Sequence, residues 1–140
     1  MPSFLDPLLR SGATGHVLDN ERTRTVVADQ LMTAFDSASR RKGLLGRDVL
    51  STSNALIIAP SNAVHTFFMR FPIDVAFVGR DGRIIKIRAA LPPWRMTASL
   101  RGFAVIELPA GTLARSNTVC GDRLICRPAD ALDTIVPPLA

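Results

Sequence analysis

The sequence predicts a mainly β (α+β) fold: a small antiparallel β-barrel or sandwich of six to seven strands carrying one or two short helices. Three observations predict it. Short runs rich in β-branched and aromatic residues, such as "ALIIAP", "IDVAFVG" and "FAVIELP", recur between Gly, Pro and Asp punctuation. One stretch has helical spacing, and no strand–helix–strand rhythm of the kind that builds a parallel sheet accompanies it.

In chain order, residues 1–22 are broken by Pro2, Pro7, Gly12 and Gly15 without a sustained period, and read as a flexible N-terminal arm. "TRTVVAD" (23–29) reads as a first strand. In "TAFDSASRRKGLLGR", Ala34, Phe35, Ala38 and Arg41 recur at helical spacing. Asp36 lies early, the basic run 40–42 late, and Gly43 where the helix should stop, all of which suit the helix dipole and its C-terminal cap. "ALIIAP", "VHTFFM" and "IDVAFVG" read as strands, and Asp81-Gly82 reads as a two-residue turn closing a hairpin over 73–88. "PPW" (92–94) interrupts the pattern, since proline cannot donate to a central ladder. "FAVIELPAG" resumes it, "GTLARSN" reads as one helical turn, and "DRLICRP" is the last strand. The organisation expected is therefore the arm, a single β-rich domain over 23–128, and a C-terminal tail over 129–140.

Composition narrows the function. A chain of 140 residues affords one real core, and no apolar run approaches the roughly 20 residues of a spanning helix. No signal peptide is recognisable at the start, which points to a soluble, cytoplasmic protein away from membranes. Both cysteines lie in "CGDRLIC"; extended, they stand roughly 20 Å apart, too far for a disulfide, so they are read as free thiols of a reducing compartment. The net charge is +5, and 15 of the 17 basic residues are arginine. Basic clusters at 40–42 and 80–88 could attract phosphates, but with no Tyr and one Trp the chain lacks the stacking aromatics of single-strand binders, so a solvated surface is favoured over nucleic acid.

Two acids stand out because they sit in apolar runs. Alternation puts Asp74 on the face opposite Ile73, Val75 and Phe77, with only Ala76 and Val78 beside it. An unpaired carboxylate there would cost several kcal/mol. Asp74 should therefore accept backbone N–H groups across "RFP", pair with Arg41 or Arg47, or line a pocket mouth with His65. Glu107, one of two glutamates, poses the same problem in "AVIELPAG". A structural role is the simpler reading of each; two carboxylates at the right separation could do glycosidase work. His65 would be the natural acid–base partner. His65 and Met69 with Cys120 or Cys126 could make a soft metal site, but no metal-ligand spacing is present and neither metal nor cofactor is expected. Phosphate-loop, dinucleotide and nucleophile-elbow motifs are also absent from the sequence.

"RRKGLLGR", "ALIIAP", "VHTFFMRFPIDVAFVGRDGRI", "LPPWR", "VIELPAGT" and "GDRL", in that order over roughly 25–127, resemble the bacterial and archaeal family called domain of unknown function 192. The resemblance implies a small, mostly β, sandwich or barrel-like fold and brings no activity with it. Many relatives have tryptophan where this chain has Phe68, asparagine-threonine where it has Phe71 and Pro72, and a signal peptide at the start. Arg41, Arg47, His65, Asp74 and Glu107 all lie within the matching blocks.

The leading expectation is a non-enzymatic binding or accessory domain whose Arg41, Arg47, His65, Asp74 and Glu107 receive a small polar ligand or a partner peptide. Its rival is a small hydrolase-like enzyme using Asp74 or Glu107 with His65. A basic nucleic-acid accessory protein is third.

Overall fold

The computed structural model describes residues 2–44, 46–47 and 50–130. Among them are ten strands and three short helices: α1 (Asp6–Ser11), β1 (His16–Asn20), β2 (Thr25–Ala28), β3 (Gln30–Ala34), α2 (Ser37–Lys42), β4 (Asn54–Ile58), β5 (Ala63–His65), β6 (Ile73–Val78), β7 (Ile84–Leu91), β8 (Met96–Ala98), β9 (Ala104–Pro109), α3 (Thr112–Arg115) and β10 (Leu124–Pro128). They form a five-stranded sheet in the order β3-β4-β9-β6-β7, a three-stranded sheet β10-β1-β2 and a two-stranded sheet β5-β8. No sheet closes into a barrel. The fold is mainly β and sandwich-like, with one departure from an antiparallel design: β3 and β4 run parallel.

Strand alternation assigns the two faces of the large sheet to two cores. Ala55 and Ile57 of β4, Ala76 and Val78 of β6, and Ala104, Ile106 and Leu108 of β9 meet Leu18, Leu124 and Cys126 of the three-stranded sheet, with Leu5 and Leu8 beside them. On the opposite face, Leu56, Ile58, Ile73, Val75, Phe77 and Val105 meet Leu44, Leu50, Met69 and Leu91. Every residue of β6 and of β9 is consequently buried. Two-sided burial explains why these strands read as continuous apolar runs.

The first 22 residues are not the flexible arm expected of them. Leu8 of α1 and Val17, Leu18 and Asn20 of β1 are buried, and β1 pairs with both β10 and β2. Phe4 donates its N–H to the Arg80 carbonyl at 2.9 Å. A six-residue helix and a five-residue strand are too short to display a period, and the prolines that suggested a loop sit where a helix tolerates them, with Pro7 in the first turn of α1. Of the expected C-terminal tail, 131–140 lie outside the described residues.

Two other expectations change. The hairpin between β6 and β7 forms, but its tip is longer than two residues. Gly79 donates to the Arg83 carbonyl, Gly82 donates to the Gly79 carbonyl, and Gly82 takes φ 87, the left-handed residue that a three-residue loop uses to restore strand twist. The strand expected over "VHTFFM" stops at His65: Phe67 and Phe68 form a turn, and Phe68 has φ 65. The periodic reading failed there because aromatic content imitates a strand whatever the backbone does.

Leu8→Ala is expected to lower the free energy of unfolding by about 2–4 kcal/mol, as for other buried leucines. Urea denaturation measures it; a loss below about 0.5 kcal/mol, normal for surface sites, would restore the loose-arm reading.

Candidate functional site

Asp74 and Glu107 lie on neighbouring antiparallel strands of the large sheet but project to opposite faces, and their environments differ accordingly. Asp74 is 1% exposed. Its Oδ1 accepts the Ala90 N–H at 2.8 Å, and its Oδ2 accepts those of Gly111 at 3.1 Å and Leu113 at 3.0 Å. Three charge-assisted bonds replace lost water and tie the end of β7 and the start of α3 to β6. These donors are not in the "RFP" turn, and no ion pair to Arg41 or Arg47 forms. Ala90, held at φ 48, is part of an irregularity in the β6–β7 pairing that turns its N–H toward the carboxylate.

Glu107 is in the central strand β9, between Leu56 of β4 and Val75 of β6, and is 3% exposed. Its Oε2 is buried and makes no hydrogen bond among the described residues. Burial among apolar neighbours pushes its carboxyl up to about 7.

A cavity of about 420 Å³ opens on Glu107. Arg40, Arg41 and Lys42 of α2 line one part of it, and Leu44, Ile58, Val64 and Met69 supply apolar wall; His65 lines it from β5. Among the described lining residues Glu107 is the only acid. The helix is short but defined at both ends: the Asp36 carboxylate accepts the Ser39 N–H at 2.8 Å, and Gly43, at φ 49, donates to the Ser39 carbonyl. Arg40 is further fixed by donating Nη1–H to the Phe35 carbonyl at 2.7 Å. The Asp36 and Gly43 signals in the sequence thus mark the ends of this wall.

Beside the cavity lies an exposed aromatic ledge. The His65 ring stacks on Phe67 at 5.0 Å, Phe67 lies 5.9 Å from Trp94, and Phe68 meets Trp94 edge to face at 4.6 Å. Phe68 is 71% and Trp94 55% exposed. Both hold left-handed backbones, φ 65 and φ 67, costly for bulky residues. Buried Thr66 holds them in place: its hydroxyl donates to the Pro92 carbonyl at 2.7 Å and accepts the Arg95 N–H at 2.9 Å, while its carbonyl accepts the Trp94 N–H at 3.0 Å. The Phe67 N–H donates to His65 Nδ1 at 3.3 Å, which leaves the neutral ring's proton on Nε2.

Of the residues singled out in the sequence, the cavity brings together Arg41, His65 and Glu107. Asp74 is not among its lining residues. Arg47 lines an adjoining cavity of about 190 Å³ on the other side of Lys42, Gly43 and Leu44, with its Nη2 3.3 Å from Met32 Sδ. Arg40, Lys42 and Thr66 were not singled out as site residues; the basic run 40–42 signalled the first two, and nothing local marked Thr66. Cys120 is exposed and Cys126 buried, both free, with burial and then the Asp19 charge pushing the Cys126 thiol up to about 12. Among the described residues no helix is long and apolar enough to cross a membrane.

A family model described as Uncharacterized ACR, domain of unknown function 192, matches residues 18–126. Among solved structures, a protein of unknown function from Novosphingobium aromaticivorans is similar at 26% identity with a TM-score of 0.68, over 78% of this chain and 81% of that one. A presumed transcription regulator from Sinorhizobium meliloti has the same fold at 24% identity and TM-score 0.68, over 78% of this chain and 89% of its own. No curated protein matches the chain.

Asp74→Ala would strand three backbone N–H groups and is expected to cost at least about 3 kcal/mol of stability, at about 1–3 kcal/mol for each group left unsatisfied. A melting series that shows a loss under about 1 kcal/mol would contradict its structural role. Glu107 makes an opposite, pH-dependent contribution. Below pH 4.5 the folded and unfolded chains both hold its proton; between 4.5 and about 7 only the folded chain does, so stability falls as pH rises through that window. The total is about 3 kcal/mol, at about 1.4 kcal/mol per pH unit. Glu107→Gln should remove that slope. Asp122, whose carboxyl the Arg22 guanidinium holds well below its ordinary range, acts only in the more acidic window below 3.8. An equal slope in wild type and Glu107→Gln from denaturation at pH 5 and 8 would contradict the burial argument.

Proposed function

The chain belongs to the Uncharacterized ACR family, domain of unknown function 192, and because that family supplies no activity, we propose from its cavity alone that it is a binding domain for a small organic anion. The single observation that carries this reading is the lining: three consecutive basic residues, Arg40, Arg41 and Lys42, share one cavity with the apolar side chains of Leu44, Ile58, Val64 and Met69. A concave, partly apolar site with a few convergent polar groups is the usual form of a small-molecule site. The cationic part favours an anionic group, and the apolar wall favours a carbon skeleton attached to it. The aromatic ledge, joined to the cavity through His65, offers a surface for a longer ligand.

The hydrolase-like alternative retains Glu107 and His65, which share the cavity, and a carboxyl pushed up to about 7 suits acid–base work near neutrality. It loses Asp74, whose oxygens are already occupied by backbone N–H groups. Binding requires less of the observed groups and is the reading adopted.

Amide chemical-shift titration with benzoate and with benzylamine at pH 6 tests it. Benzoate should shift Gly43, Leu44, Ala63 and Val64 saturably while benzylamine does not. Arg41→Ala should weaken benzoate by about fivefold, corresponding to roughly 1 kcal/mol for one exposed charge. Preference for the amine, or shifts confined to other surfaces, would overturn the assignment.

A further inference from the structure

We propose that Glu107 is the ligand's hydrogen-bond donor at the inner wall of the cavity, and that the bound group is an oxyanion received only while Glu107 carries its proton. This inference rests on the anion-binding reading above and specifies which atom meets the ligand and how binding responds to pH.

A carboxyl oxygen buried in the middle of a sheet is ordinarily given a partner, as the fold does for Asp74 with three N–H groups. Glu107 Oε2 has none among the described residues, although its side chain lines a space large enough for a small molecule. A neutral carboxyl has one O–H to give and accepts only weakly in return, so the group that completes it most strongly is a negatively charged oxygen.

The surrounding charges select the same partner. Arg40, Arg41 and Lys42 face the cavity from α2, and His65 faces it from β5. From the sheet itself, β4 presents Leu56 and Ile58 and β6 presents Val75 on the Glu107 side; β7 places Arg88 there, paired with Val75 one strand further out. No other acid is among the described lining residues, so a cationic ligand would meet only repulsion apart from Glu107 itself. An oxyanion is attracted by the basic residues, and its hydrogen bond to Glu107 exists only when the acid is neutral. The two requirements couple binding to proton retention. Desolvation, which leaves the carboxyl about half protonated near pH 7, provides the basal population of the competent form.

The consequence is a pH response in the physiological range. When only one protonation state is competent, apparent affinity scales with its fraction, so a half-point near 7 makes binding about tenfold weaker at pH 8 than at pH 6. Benzoate and benzenesulfonate, whose charges are constant over this range, isolate the protein's titration from the ligand's.

The experiment is amide-shift titration of the full chain with each probe at pH 6, 7 and 8, in wild type and in Glu107→Gln. Glutamine keeps a donor at this position and cannot ionise. The expected result is about tenfold weakening from pH 6 to pH 8 for both probes in wild type, and retained, pH-independent binding in Glu107→Gln. Wild-type binding that is flat with pH, or the same pH dependence in Glu107→Gln, overturns the role of Glu107 while leaving the anion-binding cavity standing. Affinity that rises with pH overturns it by showing that the ionised carboxylate is the competent form. If neither probe shifts the cavity amides of wild type at pH 6, the anion-binding reading falls as well, and this inference with it.

Discussion

Burial of both faces of β6 and β9 is the constraint from which the arrangement of this protein follows. A strand with water on one side can place polar residues there at no cost; these two strands have no such side. Each therefore has to solve the problem of any charged residue it carries. Asp74 is solved by bringing backbone donors to it from the end of β7 and the start of α3. Glu107 is left with one buried oxygen unpaired, on a side chain that lines a cavity. The same physical cost thus yields a staple on one face and a poised acid on the other.

The elements around the cavity are short, and their positions come from polar ties more than from their own stability. A six-residue helix is marginal in isolation. Here α2 is fixed by Asp36 at its start, Gly43 at its end and the reach of Arg40 to the Phe35 carbonyl, which together fix the basic run on one wall. Across the cavity, β5 is only three residues long and is held by pairing with β8. Thr66 extends that pairing into the two loops that bear Phe67, Phe68 and Trp94. The positive φ angles of Phe68 and Trp94 are tolerated because these bonds over-determine the loop conformation.

Seen chemically, the site combines fixed positive charge with one acid whose charge depends on pH. The arginines and Lys42 supply the positive side of the cavity lining. Glu107 brings the pH dependence, because desolvation moves its titration from the ordinary carboxylate range to about 7. Family membership and fold similarity establish the fold but supply no reaction, and the structural neighbours carry either no assigned function or one that a likeness of 24% identity does not transfer.

What the sequence alone determined was whatever local chemistry encodes: the β character of 55–60, 73–78 and 104–109, the capped helix between Asp36 and Gly43, the hairpin around Gly82, and the anomaly of two acids in apolar runs. Alternation even placed Asp74 on the correct face relative to Val75. Tertiary structure decided the rest. It recruited Leu5, Leu8 and Leu18 into the core through elements too short to show a period, ended β5 at His65 despite the aromatic run, and ran β3 parallel to β4. It also separated Asp74 and Arg47 from the cavity while gathering Arg40, Arg41, Lys42, His65 and Glu107 around it. The physical reason is that burial is a property of neighbours: a carboxylate's partners come from strands and loops tens of residues away, and no local pattern specifies which acid will find backbone donors and which will face an open space.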